Sequence, residues 1–171
     1  MSTRCKIIVS DGYTKYSIYR HYDGYPEGVL ADVKAFMENY HDPKGVLHGA
    51  EYWLANFMFY AKLSYLIFQI KKGCEENYCK YGYGICDSNC EYGDLKYIYE
   101  INLEKETASI KEWDWGTKSW FNKVENMPLQ EAFQFITDEF KNGCHITKEA
   151  FNAHKILKMK KERKLEKPIT A

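Results

Sequence analysis

The sequence predicts a single domain of the α+β class: an antiparallel sheet of about five strands, two core helices on one face of the sheet, and two C-terminal helices. Short β-branched or alternating apolar runs indicate the strands, and two long stretches with apolar residues at three- and four-residue spacing indicate the core helices. The 171-residue chain is long enough to bury one core without disulfides. We place the domain at residues 1–157 and a basic tail at residues 158–171.

A hairpin is predicted at the N-terminus. Cys5–Ser10 is rich in β-branched residues, Asp11-Gly12 supplies a turn, and residues 16–22 form the antiparallel partner. Alternation along the second strand places Arg20 on the face that carries apolar side chains and His21 on the opposite face. We therefore expect Arg20 to point at a buried partner or a bound ligand, and Arg20 and His21 not to share one catalytic centre.

Two helices follow, at residues 27–40 and at Ala50–Lys72. Pro26 suits the first turn of the first helix, whose apolar residues form one face. The second helix is apolar nearly all round, which is typical of a helix buried on several sides, so we expect it to be the central core helix. Its polar residues and tyrosines argue against a membrane span.

Three further strands are predicted at residues 78–85, 94–103 and 107–115, arranged as a meander. Gly82 and Gly84 weaken the first of these strands and indicate a bulge or the close approach of another backbone.

The C-terminal part is predicted to contain a loop at residues 115–121, a helix over residues 128–141 and a last helix from Thr147. The last helix becomes strongly basic in a chain whose formal net charge is zero. A solvated helix is the favoured explanation, and contact with nucleic acid or an acidic partner is the alternative. The residues that would make this contact are Lys158, Lys160, Lys161, Arg163 and Lys164.

Six cysteines without a secretion signal predict free thiols in the cytoplasm. Four of them, spaced C-x4-C-x6-C-x3-C, are weak candidates for a structural zinc site, but they lack the paired C-x2-C arrangement of zinc ribbons. We therefore favour free thiols and expect no cofactor. These four residues are Cys74, Cys79, Cys86 and Cys90.

The most chemically varied residues lie where the second strand passes into the first helix. Arg20, His21 and Asp23 fall within four residues and are followed by a glycine and a proline, which favour a turn. One explanation is a fixed loop, in which Asp23 accepts backbone N–H bonds at the helix start. In that loop Arg20 would pair with a carboxylate such as Asp94 or Glu100.

A ligand or partner site is the second explanation, because a guanidinium binds phosphate or carboxylate groups in a bidentate manner. The residues of this predicted site are Arg20, His21, Asp23, Tyr25 and Asp94. A third explanation is an enzyme acting on a phosphate-containing substrate, with His21 or Asp23 as the acid or base. The residues leave all three explanations open.

Two stretches, YRHYDGYPEG at residues 19–28 and GDLKYIYEI at residues 93–101, carry a resemblance. They resemble a group of small uncharacterised proteins common in bacteriophages, archaeal viruses and prokaryotic mobile elements, with an R-H-x-D-G-Y-P-x-G signature and a later G-D-x-x-Y-x-Y strand. The resemblance covers about residues 5–103.

No activity comes with this resemblance. It implies a virus- or mobile-element-encoded accessory protein that acts inside a host cell. We expect this protein to be non-catalytic, to act in the host cytoplasm and to have no membrane partner. Such a protein would bind a host protein, for example a defence component that it inhibits, or sequester a small anionic ligand such as a nucleotide.

Overall fold

The computed structural model describes residues 2–40, 49–73, 82–87 and 94–165, with side chains through residue 156. The chain is α+β, as predicted. Its elements are β1 (Cys5–Ser10), β2 (Lys15–Arg20), α1 (Pro26–Asn39), α2 (Ala50–Lys72), β3 (Tyr83–Cys86), β4 (Tyr97–Asn102), β5 (Thr107–Asp114), β6 (Ser119–Pro128), α3 (Leu129–Ala132) and α4 (Lys148–Leu165). Two short 3-10 turns, Phe133–Phe135 and Asp138–Phe140, lie between α3 and α4.

The six strands form one mixed sheet in the order β3-β2-β1-β4-β5-β6. The N-terminal hairpin is confirmed, with Ile7 opposite Ile18. The prediction of a wholly antiparallel sheet is wrong for one pair of strands. Strands β1 and β4 are parallel, and Ile7 lies opposite Tyr99 in this pair. Between β1 and β4 the chain passes through β2, α1, α2 and β3, and such a long connection lets a strand return in the same direction.

The predicted loop at residues 115–121 is confirmed only for residues 115–118, because β6 begins at Ser119 and continues to Pro128, where the predicted helix at residues 128–141 was expected to start. Strand β6 pairs antiparallel with β5, and Trp113 lies opposite Trp120. Aromatic residues favour strands, and such cross-strand pairs stabilise a hairpin. In place of the single helix predicted at residues 128–141, the structure has the short α3 and two 3-10 turns. Apolar residues at three- and four-residue spacing are compatible with one long helix and with consecutive short turns, so the pattern does not distinguish them.

The core lies between the sheet and the helices. Alternate residues of β1, β4 and β5 point toward the helices and are buried with α1 and α2 in one cluster. The strand members of this cluster include Cys5, Ile7, Val9, Tyr97, Tyr99, Ile101, Ala108 and Ile110.

The two long helices exchange their expected roles. Helix α1 is buried over most of its length, because it contacts α2, α4 and both 3-10 turns. Helix α2 is buried on one side as far as Ser64, and its side chains after that residue are all at least partly exposed. Tyr52, Phe59, Phe68 and Ile70 are exposed, so the prediction that α2 is buried on several sides is wrong.

Among the described residues, no helix combines the length and the apolar composition needed to cross a bilayer.

Candidate functional site

Arg20 is completely buried beneath α1. Its Nη1 donates to Asp32 Oδ2 at 2.7 Å, its Nε donates to the carbonyl of Tyr22 at 2.8 Å, and its Nη2 donates to Cys144 Sγ at 3.4 Å. The guanidinium also lies 5.8 Å from the centre of the Tyr83 ring. Burial works to lower the pKa of Arg20, but Tyr83 and Asp32 more than offset it and raise the pKa above its ordinary value.

The carboxylates expected to pair with this arginine contact other residues. Asp94 forms an ion pair with Arg4 near the surface. Glu100 forms ion pairs with Lys15 and Lys111, because it lies on the face of β4 that points away from the helices. Both predicted pairings are therefore wrong.

Asp32 is the partner that the sequence analysis missed. It lies on α1 with no exposed surface. While its Oδ2 binds Arg20, its Oδ1 accepts three successive backbone N–H groups, from Cys144 at 2.8 Å, His145 at 2.6 Å and Ile146 at 2.7 Å. One buried carboxylate therefore joins β2, α1 and the chain that leads into α4 through charge-assisted hydrogen bonds.

Asp23 adopts a left-handed backbone conformation with φ of 52°, which Asp tolerates better than most residues. Its Oδ2 accepts a hydrogen bond from His145 Nε2 at 2.9 Å, and its Oδ1 accepts one from the Tyr25 hydroxyl at 3.4 Å. The N-cap of α1 is Tyr25, and no side chain caps the helix. The expected capping role of Asp23 is therefore wrong.

His145 is a buried, neutral imidazole. Burial and the positive charge of Arg20 lower its pKa, although Asp23 acts in the opposite direction. The hydrogen bond from His145 in turn lowers the pKa of Asp23. Because the ionised Asp23 only accepts, Nε2 carries the imidazole proton and Nδ1 accepts from the Tyr83 hydroxyl at 3.1 Å.

Cys144 lies beside this pair as a protonated thiol. Burial raises its pKa to about 12, so it is not an activated nucleophile. Among the described residues, Asp23, Cys144 and His145 form the one group with metal-ligating chemistry, and their ligand atoms all lie within 4.8 Å of one another.

Of the cysteines predicted as weak zinc candidates, Cys86 is buried and its carbonyl accepts from the Ser17 hydroxyl at 2.8 Å.

The other three cysteines of that candidate site, Cys74, Cys79 and Cys90, lie outside the described residues.

His21 lies apart from the cluster around Asp32. Its Nδ1 is 2.7 Å from the Tyr19 hydroxyl, its ring contacts Tyr22 edge-on, and its backbone N–H donates to the Gly82 carbonyl at 2.7 Å. A side chain at position 82 would overlap that of His21, so the predicted close backbone approach is confirmed at Gly82. At Gly84 there is open space.

The structure thus brings together some of the predicted site residues and separates others. Arg20, Asp23 and Tyr25 meet through Cys144 and His145. His21 and Asp94 have other partners, as described above. Burial raises the pKa of Tyr25 to about 12, with Asp23 adding to the effect.

A second candidate surface, the α2–β3 groove, lies between α2 and strands β2 and β3. It is an almost entirely apolar depression of about 320 Å³. The side chain of Ile85 is 85% exposed at this groove, and that of Tyr16 is 43% exposed. The apolar lining consists of Tyr16, Ile18, Leu54, Ala55, Met58 and Ile85.

The five basic residues predicted to contact nucleic acid or an acidic partner follow residue 156, the last residue whose side chain the structure describes. Helix α4 continues through Leu165, and its first turns pack on α2, where Phe151 stacks on Tyr60 with ring centres 4.0 Å apart. The side chains of Lys158, Lys160, Lys161, Arg163 and Lys164 are outside the described part.

Comparison of the chain with protein-family models, with curated proteins and with solved structures gave no match.

Proposed function

We propose that the protein is a non-catalytic binding module that holds an apolar segment of a partner protein in the α2–β3 groove. The observation that carries this proposal is the 85% exposure of Ile85 beside an apolar depression. Single exposed apolar residues are common on protein surfaces, but an apolar groove with two exposed large side chains at its rim is typical of an interaction site.

The position of β3 in the sheet supports an extended partner segment. Strand β3 is outermost in the sheet order, and within the described residues it pairs with β2 alone. An added strand can hydrogen-bond to such an edge while its alternate side chains enter an adjacent pocket. The groove volume of about 320 Å³ is at the lower end of the range for ligand pockets, which suits one or two side chains.

The charges favour a protein over an anionic ligand. The guanidinium of Arg20 already has three internal partners and no exposed surface. An incoming phosphate would have to displace Asp32 from a buried ion pair, which leaves an unpaired buried charge. At the groove itself the charged residue is Glu51, which disfavours anions.

The resemblance of residues 19–28 to viral and mobile-element proteins makes a host protein the expected partner, including a defence component that the module would inhibit. Catalysis through Arg20, His21 and Asp23 and nucleic-acid contact through the basic tail stay alternative predictions.

The test uses one charge placed inside the groove and the same charge placed outside it. Ile85→Glu puts a carboxylate at the groove, and Ile156→Glu puts one on the exposed face of α4, where Ile156 is 53% exposed. Full-length protein is used to capture a partner from a bacterial or archaeal host lysate, and the dissociation constant is then measured with the purified partner.

We expect wild type and Ile156→Glu to bind equally and Ile85→Glu to bind at least about tenfold more weakly, because burying an isoleucine contributes about 1.5–3 kcal/mol. Equal binding by Ile85→Glu would contradict the proposal. A nucleotide or another small molecule that co-purifies in place of a protein would also contradict it and would favour ligand sequestration.

A further inference from the structure

Asp23, Cys144 and His145 offer one carboxylate oxygen, one sulfur and one imidazole nitrogen, the three donor types that bind zinc in proteins. Their ligand atoms all lie within 4.8 Å of one another, and His145 Nε2 is 2.9 Å from Asp23 Oδ2. In tetrahedral zinc sites with bonds of about 2.0–2.3 Å, the ligand atoms are about 3.3–3.5 Å apart. Side-chain movements of about 1 Å would therefore produce a ligand set of zinc-site dimensions.

We propose that this chain binds one zinc ion through Asp23 Oδ2, Cys144 Sγ and His145 Nε2. Zinc binding does not depend on the proposed partner groove, which lies on other elements, between α2 and β3. It also differs from the zinc site considered for the cysteines between residues 74 and 90, because it uses residues of the β2–α1 loop and of the chain before α4.

The backbone around the ligands is fixed by contacts that do not involve the metal. Asp32 holds the backbone N–H groups of Cys144, His145 and Ile146 at 2.6–2.8 Å. Two of the three ligands are thus held in place by a buried carboxylate on α1. A site formed before the metal arrives loses less conformational freedom on binding than one formed from a flexible loop.

Tyr83 and Arg20, which contact two of the proposed ligands, can keep these contacts when the metal is bound. When Nε2 of His145 binds zinc, Nδ1 carries the imidazole proton and donates it to the Tyr83 hydroxyl oxygen, so the existing 3.1 Å contact is kept with its direction reversed. Arg20 Nη2 already donates to Cys144 Sγ at 3.4 Å and would stabilise a thiolate. The repulsion between Arg20 and zinc is reduced because Asp32 pairs with the guanidinium at 2.7 Å.

The charges and protons balance on binding. Asp23 is already ionised and His145 is neutral, so the one proton released is that of the Cys144 thiol. The pair of anionic ligands neutralises the zinc charge. The Asp23 side chain is 44% exposed, which gives the ion a route from solvent and leaves a fourth position for water.

The experiment uses cobalt and zinc ions with the full-length, metal-free protein. Cobalt bound to a thiolate in tetrahedral geometry shows a sulfur-to-cobalt charge-transfer band and visible d–d bands, and zinc then displaces it. We expect one equivalent to bind. Cys144→Ser and His145→Gln should each weaken zinc binding by about 100-fold or more, because even changes behind the ligands cost about 10–100-fold.

Cys86→Ser is the matched control, because Cys86 is also a buried cysteine but contacts Ser17 outside the cluster. It should bind cobalt as the wild type does. If Cys86→Ser abolishes the charge-transfer band and Cys144→Ser does not, the metal belongs to the other cysteines and the proposal fails.

X-ray absorption spectroscopy of the zinc-loaded wild type identifies the ligand atoms directly, so it tests the proposal even if a variant does not fold. One sulfur with nitrogen and oxygen ligands is expected. A spectrum with two or more sulfur ligands, or less than about a tenth of an equivalent of metal after gel filtration, would overturn the proposal.

Discussion

The Asp32 cluster, which comprises Arg20, Asp23, Asp32 and His145, differs from the α2–β3 groove in how accessible its side chains are to a partner protein. Arg20 and Asp32 are both fully buried and bonded to each other and to the backbone. At the groove, by contrast, Ile85 exposes most of its side chain to solvent. The most reactive residue types therefore hold this fold together, and ordinary aliphatic residues form the accessible surface.

Removing the carboxylate of the cluster should have the largest effect on stability. Asp32→Ala leaves Arg20 buried and unpaired, and we expect it to lower the free energy of unfolding by about 3–5 kcal/mol. Urea unfolding measures this loss. The control is Asp94→Ala, which breaks the surface pair with Arg4 and should cost less than about 1 kcal/mol.

Similar losses for Asp32→Ala and Asp94→Ala would show that the buried cluster is not the framework described above. The double variant Arg20→Met with Asp32→Asn sharpens this test. It should recover much of the lost stability, because the amide oxygen of Asn can still accept from the three backbone N–H groups and no unpaired charge stays buried.

Two glycines, Gly82 just before β3 and Gly84 within it, provide a pair of variants with different expected effects. Gly82→Ala places a methyl group against His21 and should cost about 1–3 kcal/mol, whereas Gly84 faces open space. Gly84→Ala should change stability by less than about 0.5 kcal/mol. Thermal unfolding of both variants is the measurement, and equal shifts in Tm would contradict the close approach at residue 82.

His145 should make the cluster sensitive to mild acid. Its pKa in the folded protein lies below the ordinary value of 6.5, so the unfolded chain takes up the proton first. Stability is therefore complete above about pH 6.5 and decreases as pH falls below it, by at most about 1.4 kcal/mol per pH unit. Asp23 adds a loss only below its ordinary pKa of 3.8.

Urea midpoints of the metal-free protein are measured at about pH 7.5 and 5.5, on either side of the pH at which His145 gains its proton in the unfolded chain. His145→Gln keeps a hydrogen-bond donor for Asp23 and should reduce the difference between the two midpoints. An unchanged difference would mean that another group is responsible.

The smallest effect on stability is expected at the groove. Ile85→Glu changes a side chain that is 85% exposed in the free protein, so we expect a change within about 0.5–1 kcal/mol, which reflects the lower strand propensity of Glu. Circular dichroism and thermal unfolding check this expectation. A larger loss would mean that Ile85 supports the fold rather than binding a partner.

The local pattern of the sequence was enough to predict the α+β class, the N-terminal hairpin and the start of α2. The parallel pairing of β1 with β4 was not predictable from local pattern, since it depends on where a strand returns after two helices. Strand β6 was missed because its apolar residues alternate only weakly, and Val124 is the one residue of this strand that is buried.

The site was predictable only in part, because its partners are distant in the chain. Alternation correctly placed Arg20 on the buried face, but its partner Asp32 is twelve residues away and the partner of Asp23 is 122 residues away. The signal that was missed is Asp32 itself, a lone carboxylate within the apolar spacing of α1. His145 gave no such signal, since its chain neighbours do not indicate burial.

We propose that the partner protein binds to the α2–β3 groove and not to the signature at residues 19–28. The dissociation constant of the captured partner for Ile85→Glu and for His21→Ala tests this proposal most directly, provided that both variants are folded. We predict binding at least about tenfold weaker for Ile85→Glu and within about twofold of wild type for His21→Ala. Loss of binding in His21→Ala with full binding in Ile85→Glu would show that the partner protein binds at the signature and not in the groove.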